Sequence, residues 1–301
     1  MVLSAALAAL LSLSVAEPGS AAVRRDAAPV ATVRVSSFNV LGSSHTPAGG
    51  SRAPGTTRIV WAGELLTRHH VDVVGFQELQ ADQRATFLTT TAGAWALYPG
   101  SSLRSRDGEN SIGWRTAKFD LVQATTVTIP YFDGNPRPMP VVLLRERTTG
   151  LLTWFSNFHN PATTRAYPAQ GRWRARATAI EVALQDQLRG TGIPSVMTGD
   201  MNERAPYFCA VQRPGSAMRA ARGGYWSDGV CHALRPRAID WIFGSRRLGL
   251  SGYTEDRSAL VARTTDHPVL AATVTVDGAT FPAAGSAVAP APFVPAVSYT
   301  R

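Results

Sequence analysis

Six short polar clusters each close or interrupt an apolar run: Ser37-Phe38-Asn39-Val40, Phe76-Gln77-Glu78-Leu79, Asn157-Phe158-His159-Asn160, Gly199-Asp200-Met201-Asn202, Ile239-Asp240-Trp241-Ile242-Phe243 and Thr265-Asp266-His267-Pro268. Polar residues at the ends of buried strands converge where loops gather over a sheet edge. Among their residues, Asn39, Glu78, Asp200, Asn202, Asp240 and Asp266 give four carboxylates and two amides, and His159 and His267 add two imidazoles. Hard oxygen donors in this number suit Mg²⁺, Mn²⁺ or Ca²⁺, and the lack of thiolates among them argues against a softer metal. Taken singly, most have an ordinary reading: Asn39 as a turn former, Glu78 as a helix start, His159 as a hydrogen-bonded core residue, Asp200–Asn202 as an Asx turn. Asp240 resists one, because an unpaired carboxylate between Ile239 and Trp241 is costly to bury. It calls for a cationic or protonatable partner.

The elements that must carry these residues are legible from hydrophobic period. Strands are expected over Ala31–Val40, Val71–Phe76, Trp95–Tyr98, Ser111–Arg115, Asp120–Ile129, Met139–Arg147, Leu151–Phe158, Ile193–Thr198, Ile239–Phe243 and Val269–Val276. Arg58–His70, Asp82–Ala92 and Arg172–Leu188 have helical spacing; in the last, Trp173, Ala177, Ile180, Leu184 and Leu188 form one stripe. Asp133-Gly134-Asn135-Pro136 and Thr149-Gly150 look like hairpin turns. Strands alternate with helices but hairpins intervene midway. That pattern predicts two mixed sheets packed face to face with helices outside, rather than one doubly wound sheet. The clusters interleave along the chain, so one domain over 31–276 is expected.

Residues Met1–Ala22 read as a secretory signal: an apolar stretch from Val2 to Ala16, a Glu17-Pro18-Gly19 break and a small-residue cleavage candidate at Ser20-Ala21-Ala22. No Lys or Arg precedes the apolar run, which departs from that pattern. Residues 23–30 read as a linker, and the Ala/Pro-rich 277–301 as a disordered tail. Cys209 and Cys231 are the only cysteines, and in an exported chain an even pair reads as a disulfide, worth about 3 kcal/mol by loop closure. Between them, Tyr225, Trp226 and Arg222 read equally as a stapled substrate loop or an ordinary surface loop. The net charge of +9 rests on arginine, Lys118 being the only lysine, and favours a polyanionic partner such as nucleic acid or an anionic membrane surface.

The six clusters, in this order, resemble the motif set of the endonuclease/exonuclease/phosphatase superfamily, which includes deoxyribonuclease I-like nucleases, AP endonucleases, inositol polyphosphate phosphatases and neutral sphingomyelinases. The resemblance spans about Val33 to Val276 and implies a four-layer α/β/β/α sandwich. It also implies roles. Glu78, assisted by Asn39, would form the principal metal site, taken as Mg²⁺ with Mn²⁺ or Ca²⁺ as alternatives, and Asp266 would lie beside the metal. His267 would pair with Asp240, Asp200 and Asn202 would position the attacking water, and His159 would stabilise the transition state or protonate the leaving oxygen. Arg115 is a weaker candidate phosphate contact. Leu41 stands where AP endonucleases carry an acidic residue and His159 where they use Tyr, so abasic-site repair is disfavoured. The expected activity is a secreted, monomeric, metal-dependent nuclease on DNA or RNA. A sphingomyelinase-like or inositol-phosphate phosphoesterase is the alternative, with Asp133–Pro140 its only candidate membrane hairpin. A non-catalytic binding module is the third reading.

Overall fold

The computed structural model describes residues 27–46 and 49–281. The expected signal segment, the first half of the linker (23–26) and the tail beyond residue 281 lie outside the described residues. In chain order the strands are β1 (Val30–Asn39), β2 (Val73–Gln77), β3 (Trp95–Tyr98), β4 (Ile112–Arg115), β5 (Phe119–Pro130), β6 (Pro136–Glu146), β7 (Leu152–His159), β8 (Ser195–Asp200), β9 (Met218–Ala220), β10 (Tyr225–Ser227), β11 (Val230–His232), β12 (Asp240–Ser245), β13 (Gly249–Asp256) and β14 (Val269–Asp277). The α-helices are α1 (Gly55–Arg68), α2 (Ala81–Thr90), α3 (Gly171–Gly190), α4 (Ala205–Val211) and α5 (Ala259–Thr264).

Two mixed six-stranded sheets form the middle of the molecule, in the orders β13-β14-β1-β2-β4-β3 and β5-β6-β7-β8-β12-β9. Val33, Val35 and Val73 of the first sheet meet Val142, Phe155, Val196 and Ile242 of the second in a shared apolar layer. Phe38, Val74 and Phe76 face the other way, onto Ile59, Leu65 and Leu66 of α1 and Phe87 of α2. On the far side Trp154, Phe158, Trp241 and Phe243 pack on Ala177, Ile180 and Leu184 of α3 and on Phe208 of α4. The result is the four-layer α/β/β/α sandwich. It follows from period: residues alternate across each strand, so every sheet offers two apolar faces, and each must be covered.

At the end of the sandwich where the polar clusters gather, the two sheets are joined by side-chain hydrogen bonds. Asn157 on β7 donates from Nδ2 to Phe76 O (2.7 Å). Its Oδ1 accepts from Gln77 Nε2 (2.7 Å) and from Thr198 Oγ1 (3.1 Å). The gap stays this narrow because β2 has glycine at its closest point. A Cβ on Gly75 would sit 2.0 Å from Thr198 Oγ1 and 2.4 Å from Asn157 Oδ1.

Three expectations need correction. Hydrophobic period predicts no strand between Phe243 and Val269, yet β13 lies there. It is a half-exposed edge strand whose register shifts between Ser251 and Thr254, so it has neither an apolar run nor a clean alternation. The short helices α4 and α5 are likewise not predicted, being too brief to show a period. The tail does not begin at 277: β14 includes Asp277, Gly278 N donates to Pro29 O, and Phe281 packs on the inter-sheet core.

Gly75→Ala is expected to destabilise the fold by about 1–3 kcal/mol, because the methyl group must push the sheets apart. Gly63→Ala, in α1 with nothing within 4 Å of its Cβ, is the control and should stabilise by about 0.5–1 kcal/mol. Denaturant unfolding of the two variants tests this; a Gly75→Ala protein as stable as its parent would refute the close approach.

Candidate active site

Strand direction brings the clusters together. β1 and β2 are parallel, with Asn39 opposite Gln77, so Asn39 and Glu78 emerge from adjacent strand ends. β7 and β8 are also parallel, with His159 opposite Asp200, while antiparallel β12 places Asp240 opposite Asp200 from the other side. Thr265 ties the last cluster to the first: its hydroxyl donates to Asn39 O (2.7 Å) and accepts from His267 N (3.2 Å).

Asp200 Oδ2 is the focus. Asn39 Nδ2 lies 3.2 Å from it, His159 Nε2 3.6 Å and His267 Nε2 3.7 Å. Asp200 Oδ1 accepts from Asn202 N (2.9 Å), and Asn202 Nδ2 donates to Asn160 O (2.9 Å), which locks the two loops together. His267 Nδ1 lies 3.0 and 3.1 Å from the two Asp240 oxygens, the partner that the buried carboxylate required. Glu78 Oε1 accepts from Asn39 Nδ2 (3.0 Å) and Oε2 from Gly42 N (3.0 Å). Glu78 and Asn202 both hold left-handed backbone conformations, at φ 60° and 48°. Such strain persists only where the surroundings enforce it, and it concentrates at functional sites.

The electrostatics separate the two imidazoles. Burial would lower His267, but Asp240, with Asp200 and Asp266, overrides it and pushes the group up to about 10, so it is a cation at neutral pH. For His159 burial wins over Asp200 and Glu78, and its pKa falls, leaving it neutral. The Tyr131 hydroxyl is 3.5 Å from His159 Nδ1, and burial raises the phenol, keeping it a donor. The His159 proton is therefore assigned to Nε2, facing Asp200. Asp200 is itself raised, first by burial and then by Asp240. Burial also presses on Glu78, yet His159, Asn39 and Gly42 together hold it below the usual carboxylate range. A charged imidazole, a neutral imidazole and a carboxylate of raised basicity within one cluster can divide acid and base work.

These residues fit a hard dication. Glu78 stays anionic, Asp266 is exposed beside His267, and both act electrostatically on the same guanidinium, Arg58, whose N–H groups are spent on the carbonyls of Ala53, Val40 and Thr264. Asp200, Asp240 and His267 also bring ligand atoms within 4.8 Å of one another. The His267–Asp240 pairing, however, already uses Nδ1 and both carboxylate oxygens. Asn39 differs from expectation: its Oδ1 accepts from Leu41 N (3.0 Å), so it turns its NH₂, not its oxygen, toward the carboxylates and acts by positioning them.

Arg115 is not part of the site. β4 runs antiparallel to β2, so its last residue lies at the opposite end of the sheet from Glu78. There Arg115 donates to Val71 O (3.2 Å) and stacks 4.4 Å over Trp95. A different arginine lies near the imidazoles. Arg137, the second residue of β6, pairs with Glu109 (2.6 Å), stacks on Tyr131 at 4.7 Å and acts on His159. Nothing in the period of β6 marks it. His45, 3.5 Å from Glu78 Oε2, also went unread, in a Gly/Ser-rich loop. Arg222 proves to back the site, with Nη2 donating to Asp240 O (3.1 Å) and its guanidinium over Trp241. Cys209 and Cys231 are disulfide-bonded, with Cα atoms 5.8 Å apart.

A model of the Endonuclease/Exonuclease/phosphatase family matches residues 36–267. No curated protein matches. The structure is similar to an endonuclease/exonuclease/phosphatase family protein from Bacteroides thetaiotaomicron (TM-score 0.65, 17% identity, 83% of this chain and 97% of that one). It is also similar to a mannosyl-6-phosphatase from B. thetaiotaomicron (0.61, 18%, 80% and 99%) and to D. rerio TDP2 complexed with single strand DNA product (0.58, 14%, 81% and 98%). At these identities the likeness is one of fold.

Two outcomes are expected. With EDTA present, the folded His267 holds its proton to about pH 10, whereas an unfolded imidazole releases it near 6.5. Its contribution is full below about 6.5 and is lost as pH rises toward 10. Asp240→Asn should therefore narrow its stability deficit against the parent by more than about 1 kcal/mol between pH 6 and pH 10, in denaturant titrations. Arg115→Ala should leave phosphoester hydrolysis within about twofold of the parent. A collapse of turnover on folded protein would return Arg115 to the site.

Proposed function

The chain belongs to the endonuclease/exonuclease/phosphatase family and is a phosphoester hydrolase of that family, and on this footing we propose that it is a secreted, divalent-metal-dependent nuclease cutting phosphodiester bonds in DNA, with RNA as a second polymer. The observation that carries the reading is the convergence of His159, His267 and Asn39 on Asp200 Oδ2, beside Glu78. The choice of polymer rests on the net charge of +9.

Asp200, raised in basicity, accepts the proton of a water attacking phosphorus in line with the leaving oxygen. Neutral His159 donates its Nε2 proton in a hydrogen bond to a phosphoryl oxygen as negative charge grows there. Charged His267, held by Asp240, adds positive charge and provides a proton for the departing oxygen as the P–O bond breaks. Asn39 and Asn202 fix the carboxylates they touch. A dication held by Glu78, with Asp266 beside it, would bind a phosphoryl oxygen and neutralise developing charge.

Fold does not choose the substrate: one relative of this fold is named a mannosyl-6-phosphatase and another carries a single-strand DNA product. Contacts at the start of the candidate membrane hairpin count against the lipid-headgroup alternative. Tyr131 is buried against His159, Phe132 stacks on Tyr167 at 4.3 Å, and Asp133 N donates to Gln170 (3.0 Å), so the aromatic residues that flank this hairpin are engaged with the protein. Secretion is supported by the apolar N-terminal stretch and by the disulfide. No described helix is long and apolar enough to cross a membrane.

Nicking of supercoiled plasmid with Mg²⁺ present, abolished by EDTA, is the expected result. His159→Ala and His267→Ala should each lower turnover about 10²- to 10⁴-fold while circular dichroism stays unchanged. Intact plasmid across Mg²⁺, Mn²⁺ and Ca²⁺ at several pH values, with phosphocholine released from sphingomyelin instead, would transfer the assignment to a lipid headgroup.

A further inference from the structure

A cavity of about 470 Å³ opens beside the disulfide-tied hairpin β10–β11. Gln212, Arg219, Gly224, Tyr225, Trp226 and Arg246 are among its walls, and its lining has two guanidinium groups and no carboxylate. Arg246 is held by the carbonyls of Ser216, Gln212 and Arg213, which fix its charge without neutralising it. Arg219 spends one N–H on Leu248 O, and its Nε has no partner. Tyr225 is 56% exposed and stacks on His232, with centroids 4.6 Å apart and planes 20° apart. The hairpin cannot swing freely, because Cys231, opposite Trp226, is bonded to Cys209 of α4. The cavity is distinct from the Asp200 cluster. Arg219 and Ala220 on β9 lie opposite Gly244 and Phe243 of β12, which at roughly 3.3 Å per residue is about 10–13 Å along the strand from Asp240.

We propose that this cavity is a nucleotide-binding exosite, taking a nucleotide of a single-stranded substrate with its base against Tyr225 and its phosphate near Arg219 and Arg246. Single-strand binding sites combine fixed positive charge with exposed aromatic rings on which bases stack. Here both lie in one cavity of the size that small ligands fill. The inference rests on the nucleic-acid reading above for the identity of the polymer. Val230 and Leu234 also stand exposed on and beside this hairpin, so a lipid surface is the competing occupant. A concave, cationic wall next to a pre-stacked ring favours the nucleotide.

The test separates binding from catalysis. A fluorescein-labelled single-stranded decathymidylate is titrated with the full chain in EDTA, where no turnover occurs, and hydrolysis of bis(p-nitrophenyl) phosphate is measured separately with Mg²⁺. Salt-sensitive binding is expected, weakened about tenfold by Tyr225→Ala, the scale of one base–aromatic stack, and to a similar extent by Arg219→Gln. Hydrolysis of the small diester should be unchanged in both variants, while KM for the oligonucleotide rises. The proposal is overturned if both variants bind the oligonucleotide as the parent does. It is equally overturned if the parent binds phosphatidylglycerol vesicles and not the oligonucleotide. A parent that binds the oligonucleotide through Tyr225 yet fails to cut it would refute the nuclease reading and leave the exosite standing.

Discussion

Asn157 ties the two sheets together at the end where the polar clusters gather. Glu78 rises from the first sheet; His159, Asp200 and Asp240 rise from the second. The apolar layer between the sheets is non-directional and would tolerate sliding. The Asn157 amide does not, because it donates to the backbone of β2 and accepts from Gln77 and Thr198 at once. These groups are fully or almost fully buried, so leaving any of them unpaired costs about 1–3 kcal/mol. Gly75 makes the contact possible by presenting no side chain where the sheets come closest. The same segment that carries His159 thus fixes its distance from Glu78.

Above that joint, the site concentrates buried carboxylates that repel one another. Asp200 and Asp240 face each other across paired strands, and burial first, then this repulsion, raises the basicity of Asp200. One imidazole is drawn into the charged state to compensate and the other is left neutral by burial. The two histidines have the same intrinsic chemistry. Their difference comes from their surroundings: both Asp240 oxygens at 3.0–3.1 Å override burial for His267, while for His159 burial prevails over Asp200 and Glu78, with the Arg137 charge a smaller contribution. Function-bearing asymmetry here is a product of position rather than residue type.

Much of this was readable beforehand, for identifiable reasons. β2, β7 and β8 are covered on both faces, so they read as continuous apolar runs, and their polar ends stood out. Asp240 demanded a partner because burial of an isolated charge is prohibitive, and His267 supplies it. Arg115 misled because a strand-terminal arginine can lie at either end of a sheet, and only the antiparallel sense of β4 decides which. Arg137 and His45 were hidden in segments without period, and β13 in an edge strand that buries little.

The sequence by itself determined the residue types available for chemistry, the apolar runs that must be buried, and hence a sandwich with polar strand ends. Those are local properties, set by side-chain chemistry and by the periods of strand and helix. Only the tertiary structure decided which strand ends share a rim, which amide turns its nitrogen inward, and which imidazole is charged. Those depend on distances between segments far apart in the chain, such as the 161 residues separating Asn39 from Asp200 at 3.2 Å, and no local pattern encodes a distance of that kind.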